Sequence, residues 1–222
     1  GNQEKAEMLT RQNFNSEVSY DADGENPFRF GSFTTMGEFY VETGLNIIGM
    51  SDYKRILSLD SAMAVVQFKK DHVAYQRNYF ISYPANVMVM RFSADQPGKQ
   101  NLVFSYAPNP VSTGNMASDG NKGLVYSASL DNNGMKYVVR IQAETKGGTL
   151  SNADGKLTVK GADEVVFYIT ADTDYKPNFD PDFKDPKTYV GVNPEETTRQ
   201  WMNNAVSQGY TALFSQHYND YA

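Results

Sequence analysis

The stretch Tyr53–Gly98, YKRILSLDSAMAVVQFKKDHVAYQRNYFISYPANVMVMRFSADQPG, decides the fold class. Short apolar runs follow one another between turn-forming residues, and an arginine recurs inside them at Arg55, Arg77 and Arg91. A Ser82-Tyr83-Pro84 break interrupts the series. Runs rich in β-branched and aromatic residues suit pleated, half-buried surfaces, so this stretch predicts an antiparallel meander.

The pattern continues outward. Tyr137, Val139, Ile141 and Ala143 alternate with Val138, Arg140, Gln142 and Glu144, which predicts a strand with one wet face. Val87–Phe92 and Val165–Ile169 are apolar on both faces, as expected of central strands covered on both sides. Asp95-Gln96-Pro97-Gly98, Asp131-Asn132-Asn133-Gly134 and Asn152-Ala153-Asp154-Gly155 supply turn residues tolerant of positive φ. The reading is an all-β antiparallel sandwich of the supersandwich type, spanning residues 31–192. Residues 1–30 read as a short N-terminal helix followed by the turn-rich loop Asp21–Pro27, the truncated start of the domain.

Residues 193–222 change character. Asn193-Pro194-Glu195-Glu196 combines a capping side chain, a proline suited to the first helical position and two acids at the positive end of the dipole. The helix it starts carries Met202, Val206, Tyr210, Leu213 and His217 on one stripe, and Gly209 is its weak point.

A chain of 222 residues folds as one large β domain or at most two small ones. Burial of roughly 70% of the unfolded surface needs no disulfide or metal. With no cysteine, thiolate nucleophiles and thiolate metal sites are excluded. The net charge of −6 argues against nucleic acid and anionic membrane surfaces as partners. No apolar run approaches the roughly 20 residues a membrane-spanning helix needs. GNQEKAEM lacks an apolar export signal, and Gly1 reads as a residue left by tag removal, with any such signal lying upstream.

No residue type stands in a catalytic pattern. The acids Asp172, Asp174, Asp180, Asp182 and Asp185 fall on a Pro-rich loop, where a solvated role is expected over catalysis or calcium binding. His72, beside Lys69, Lys70 and Asp71, reads as an exposed hairpin turn. His217 reads as a buried or half-buried hydrogen-bonding group, with a substrate contact as the alternative. The internal arginines are expected to pair with acids across strands or to shield a sheet edge, rather than to bind sugar. Trp201 reads as helix-on-sheet packing, with a sugar platform as the alternative. No cofactor and no metal is expected.

Five ordered fragments resemble a known family. They are Gly31-Ser32-Phe33 with Gly37; Tyr53, Arg55, Leu57, Leu59 and Ala62; the series Val73, Tyr75, Arg77, Phe80, Ser82, Pro84, Val87, Val89, Arg91, Ala94, Asp95, Pro97 and Gly98; Gly161-Ala162-Asp163 leading into Val165; and Gly209, Tyr210, Ala212, Leu213, His217, Asp220 and Tyr221. Together they resemble the N-terminal β-sandwich domain of glycoside hydrolase family 95, the inverting α-L-fucosidases and their relatives. The family's Gly-rich opening and its Leu-Asn-Glu-Asp-like stretch ahead of a Trp have no match here.

The resemblance implies that the general acid, the base and the water-positioning amides lie in an (α/α)6 barrel, so no catalytic residue transfers to this chain. It implies two partners, the helical-barrel domain of the same polypeptide and a fucosylated or galactosylated glycan, and a periplasmic or extracellular location. Trp201, Leu213, Phe214, His217 and Tyr221 become candidates for domain-interface or sugar contact, with Leu213, Phe214 and Tyr221 expected to be exposed when the barrel is absent. The competing reading is a stand-alone carbohydrate-binding or adhesin-like sandwich, in which those side chains are buried.

Overall fold

A computed structural model describes residues 2–14, 34–131, 133–179, 185 and 187–222. The expectations for Asp21–Pro27, Gly31–Phe33, Asn132, Asp180 and Asp182 lie outside these residues. The opening stretch forms β2 (Ser51–Ser58), β3 (Met63–Lys70), β4 (Val73–Ser82) and β5 (Val87–Ala94), which pair antiparallel in chain order. Beyond β5 the same sheet continues through β12 (Glu164–Thr173), β9 (Lys136–Lys146) and β8 (Gly123–Leu130) to β7 (Ser112–Asp119). The second sheet has the order β1 (Gly37–Glu42), β6 (Gln100–Pro108), β11 (Lys156–Ala162), β10 (Thr149–Ala153). A short helix α1 (Gln3–Phe14) precedes the sheets and a long one, α2 (Pro194–Tyr221), follows them. The architecture is the expected all-β sandwich with a helix at each end.

The principal core lies between the sheets. Phe104 of β6 stacks on Phe167 of β12 at 4.7 Å between ring centroids, and Phe92 meets Phe167 edge-on at 6.0 Å. Leu124, Val139, Ile141, Leu157 and Val165 close around them with no exposed surface. Side chains of this size each contribute about 1.5–3 kcal/mol on full burial.

β5 and β12 are central strands covered on both faces, as their sequences require. Met90, Phe92, Val165 and Phe167 face the second sheet, while Val87, Val89, Val166 and Tyr168 face α2. The cover is the chain's own helix, so these strands demand no outside partner. β9 departs from expectation: Val138 and Arg140, assigned to a wet face, are buried. Arg140 reads as a solvent marker in sequence, but ion pairs to Asp119 and Glu195 let it lie under the start of α2.

The β3–β4 hairpin turns on Asp71 and His72, both at positive φ, with Lys70 opposite Val73. Such a two-residue turn matches the right-handed strand twist but strains residues other than glycine. Asp95 accepts from the Ala74 N–H at 2.9 Å and Gln96 donates to the His72 carbonyl at 3.1 Å, which holds the turn in place.

Helix α2 begins where its capping signals predict. The Asn193 side chain accepts from the Glu195 N–H at 3.1 Å, and Pro194 opens the first turn. It breaks at Gly209, whose φ of 70° and ψ of 171° are non-helical. A Cβ built on Gly209 meets nothing within 4 Å, so only the backbone conformation demands glycine. Gly209→Ala is therefore expected to cost about 1–3 kcal/mol through backbone strain alone. Urea denaturation checks this; an unchanged midpoint would mean the kink straightens at no cost.

Candidate functional site

The sequence-predicted site residues all lie on α2, which packs on the outer face of the eight-stranded sheet. Its first half is tied down by polar contacts. Glu195 accepts from Arg140 at 3.1 Å and from the Ser127 hydroxyl, and Thr170 donates to the Thr198 carbonyl at 3.1 Å. Trp201 is half-buried on this half, next to Met202, which with Ala205 enters the second core.

The second half binds through aromatic packing. Leu213 is fully buried, and Phe214 is half-buried with its ring edge-on to Phe80 at 5.7 Å. The expectation that both are exposed in the absence of another domain is thus corrected. Leu213 fills the space between α2 and the sheet, where a helical stripe and an interdomain stripe have the same sequence period. Tyr221 does stand out, 52% exposed. His217 is buried, stacks on Phe80 at 4.9 Å, and has Nε2 2.9 Å from the Ser61 carbonyl. A carbonyl only accepts, so Nε2 carries the proton there. His217 thereby joins the helix terminus to the β2–β3 turn.

A cleft of about 530 Å³ opens beside the Gly209 break. Its walls are Arg91 on β5, Glu144 to Lys146 on β9 and Glu164, Val166 and Tyr168 on β12, and Gln208 to Thr211 form its rim. Arg91 pairs with Glu164 across neighbouring strands, and its guanidinium lies 4.8 Å from the centroid of the Tyr210 ring. The Tyr168 hydroxyl donates to Glu144 at 2.9 Å.

Burial, and secondarily the bond to Glu144, raise the Tyr168 hydroxyl above its ordinary value of 10.0. The phenol of the unfolded chain ionises first. This contribution to stability is therefore complete below pH 10 and declines as pH rises above it toward the folded-state value. Tyr106 is raised in the same direction, chiefly by burial. Stability is expected to be insensitive to these groups at neutral pH and to fall in alkali above about pH 10. Denaturant titrations from pH 9 to 12 check this, with a shallower decline in Tyr168→Phe.

The other singled-out residues lie away from the cleft lining. Arg77 lies over the rings of Phe68 and Phe92, at 5.1 and 5.7 Å. Arg55 is exposed on β2. Asp174 is buried and accepts from the Lys136 N–H at 2.9 Å, while Asp172 and Asp185 accept from Thr173 and Lys187 N–H at 2.8 Å. Among the described residues, no group of three or more metal-ligating side chains assembles.

Sequence reasoning missed the Arg140–Asp119–Glu195 cluster and the cleft acids Glu144 and Glu164. The available signal was a lone arginine in a strand whose neighbours are all apolar. Nothing local foretells the cleft, which exists because three strands and a broken helix converge.

Known proteins share this chain's features. The family model for the glycosyl hydrolase family 65 N-terminal domain matches residues 1–178. "Probable alpha-fucosidase A" of Aspergillus niger is 30% identical over 208 residues, covering 89% of this chain and 25% of its own length. "Alpha-L-fucosidase 2" of Arabidopsis thaliana is 24% identical over 203 residues, covering 77% of this chain and 22% of its own. The chain thus spans about a quarter of the length of these curated relatives. A solved structure titled "Putative kojibiose phosphorylase from human microbiome" superimposes with a TM-score of 0.54 at 10% identity, over 83% of this chain and 27% of that one. At that identity the likeness speaks for the fold. The family model's match over residues 1–178, most of the chain, decides the assignment: the chain belongs to the family of glycosyl hydrolase family 65 N-terminal domains.

Proposed function

We propose that this chain is the non-catalytic N-terminal domain of a glycan-degrading enzyme of the α-L-fucosidase type, the inverting kind grouped as glycoside hydrolase family 95. In this role it braces the catalytic helical barrel of the same polypeptide and shapes access to a fucosylated or galactosylated glycan. The observation that carries this reading is the similarity to α-fucosidases over 89% of the chain against 25% of the relative's length. A periplasmic or extracellular setting goes with it.

One end of the sandwich offers a surface for the barrel. The β2–β3 and β4–β5 turns lie at the same end of the sheet, and His217 brings the end of α2 there too. Leu59, Tyr83, Tyr218 and Tyr221 are all exposed at this end. Edge strand β2 adds Tyr53, Ile56 and Leu57, exposed although apolar. Exposed apolar side chains gathered along one edge and end of a sheet suit contact with another domain.

The burial of Leu213 favours the alternative, a self-sufficient carbohydrate-binding module, because the helix completes its own layer. A double substitution separates the two. Leu57→Asp with Leu59→Asp should leave the melting temperature of this chain within a few degrees, since both positions are exposed. In the full-length gene product the same pair should lower glycosidase stability or activity severalfold. Full activity and unchanged melting in the full-length variant would overturn the bracing role.

A further inference from the structure

The cleft beside Gly209 has a lining whose charges cancel. Arg91 and Lys146 stand against Glu144 and Glu164, with Gln208, Thr145 and Thr211 between them. Its volume of about 530 Å³ lies within the range of small-molecule sites. The Arg91 ε-nitrogen is buried without a hydrogen-bond partner, although Nη2 of the same guanidinium pairs with Glu164. Buried donors left unpaired are rare, and each calls for a reason. The Tyr210 ring carries the Arg91 guanidinium on its face and packs against Phe80 at 5.8 Å, so it holds the arginine in place.

An anion entering this cleft meets two carboxylates, and a cation meets a guanidinium and an ammonium. A neutral ligand whose groups both donate and accept meets no repulsion. Polyhydroxylated rings have that character: each hydroxyl can donate to Glu144 or Glu164 and accept from Arg91 or Lys146. We propose that the cleft between the broken helix and strands β5, β9 and β12 is a binding site for a neutral mono- or disaccharide. The glutamates accept from sugar hydroxyls and the two basic side chains donate to them. The inference rests on the glycosidase reading only for the choice of sugars as probes.

The test is ligand-observed NMR and calorimetric titration of the chain with L-fucose, D-galactose, D-glucose and a fucosylated oligosaccharide. Wild type should bind at least one of them saturably. Glu144→Gln and Lys146→Ala should each weaken that binding about tenfold or more, the loss expected for a hydrogen bond to a charged group. Lys146 is exposed, so Lys146→Ala keeps the fold, which unchanged melting verifies. No saturable binding of any sugar, or binding indifferent to both variants, overturns the proposal. Fucoside hydrolysis by the full-length gene product is measured alongside. Hydrolysis without cleft binding sinks the cleft alone. Cleft binding without fucoside hydrolysis upholds the cleft and sinks the fucosidase reading.

Discussion

Arg140→Ala should lower the stability of this chain by about 3 kcal/mol, near the low end for breaking a buried ion pair. Its side chain is 3% exposed and bridges Asp119 at the end of β7 to Glu195 in the first turn of α2. Removing it leaves two carboxylates facing each other under the helix, each with 36% of its side chain exposed. Water reaches them in part, which keeps the loss below that of a fully sealed pair. For a domain of this size the change corresponds to roughly 6–12 °C in melting temperature. Arg140→Met, which preserves the packing of the aliphatic stem, should cost less than Arg140→Ala. Equal losses in the two variants would show that charge alone matters; no loss in either would show that the start of α2 is held by its cap and Met202.

Leu213→Ala is the second large effect, a loss of about 2–5 kcal/mol in the range of fully buried leucines. The side chain has no exposed surface and sits among Phe80, Val87, Val89 and Met202 between α2 and the sheet. Tyr221→Ala, two turns further along the same helix and half-exposed, should change stability by no more than about 0.5 kcal/mol. Paired urea titrations of the two variants measure how far α2 belongs to the sandwich. If Leu213→Ala is neutral, the second half of α2 is only loosely seated. If Tyr221→Ala is the costlier, the helix terminus carries packing that its exposure conceals.

Much of the fold was legible because strand periodicity and turn chemistry are local. The meander from Tyr53 to Gly98, the two doubly apolar strands and the capped start of α2 are written in neighbouring residues. The wet face assigned to β9 failed for a nonlocal reason: Arg140 is neutralised by Asp119 and Glu195, 21 and 55 residues away. The exposure assigned to Leu213 and Phe214 failed because an amphipathic stripe does not say which surface it covers. The candidate site was less legible than the fold. Arg91 stood out in sequence, but Glu164, Glu144 and Tyr168 join it only through the register of β5, β12 and β9. His217 was recognised as a hydrogen-bonding group, and its partner, the Ser61 carbonyl 156 residues away, is supplied by topology.

If this domain belongs to an α-L-fucosidase as proposed, the enzyme's chemistry lies outside it. Hydrolysis of a nitrophenyl α-L-fucoside, assayed side by side for the full-length gene product and for the 222-residue chain, tests it most directly. Turnover with inversion is expected from the full-length protein and none from the chain alone. Turnover by the chain alone, or a full-length protein inert toward α-L-fucosides, would contradict it.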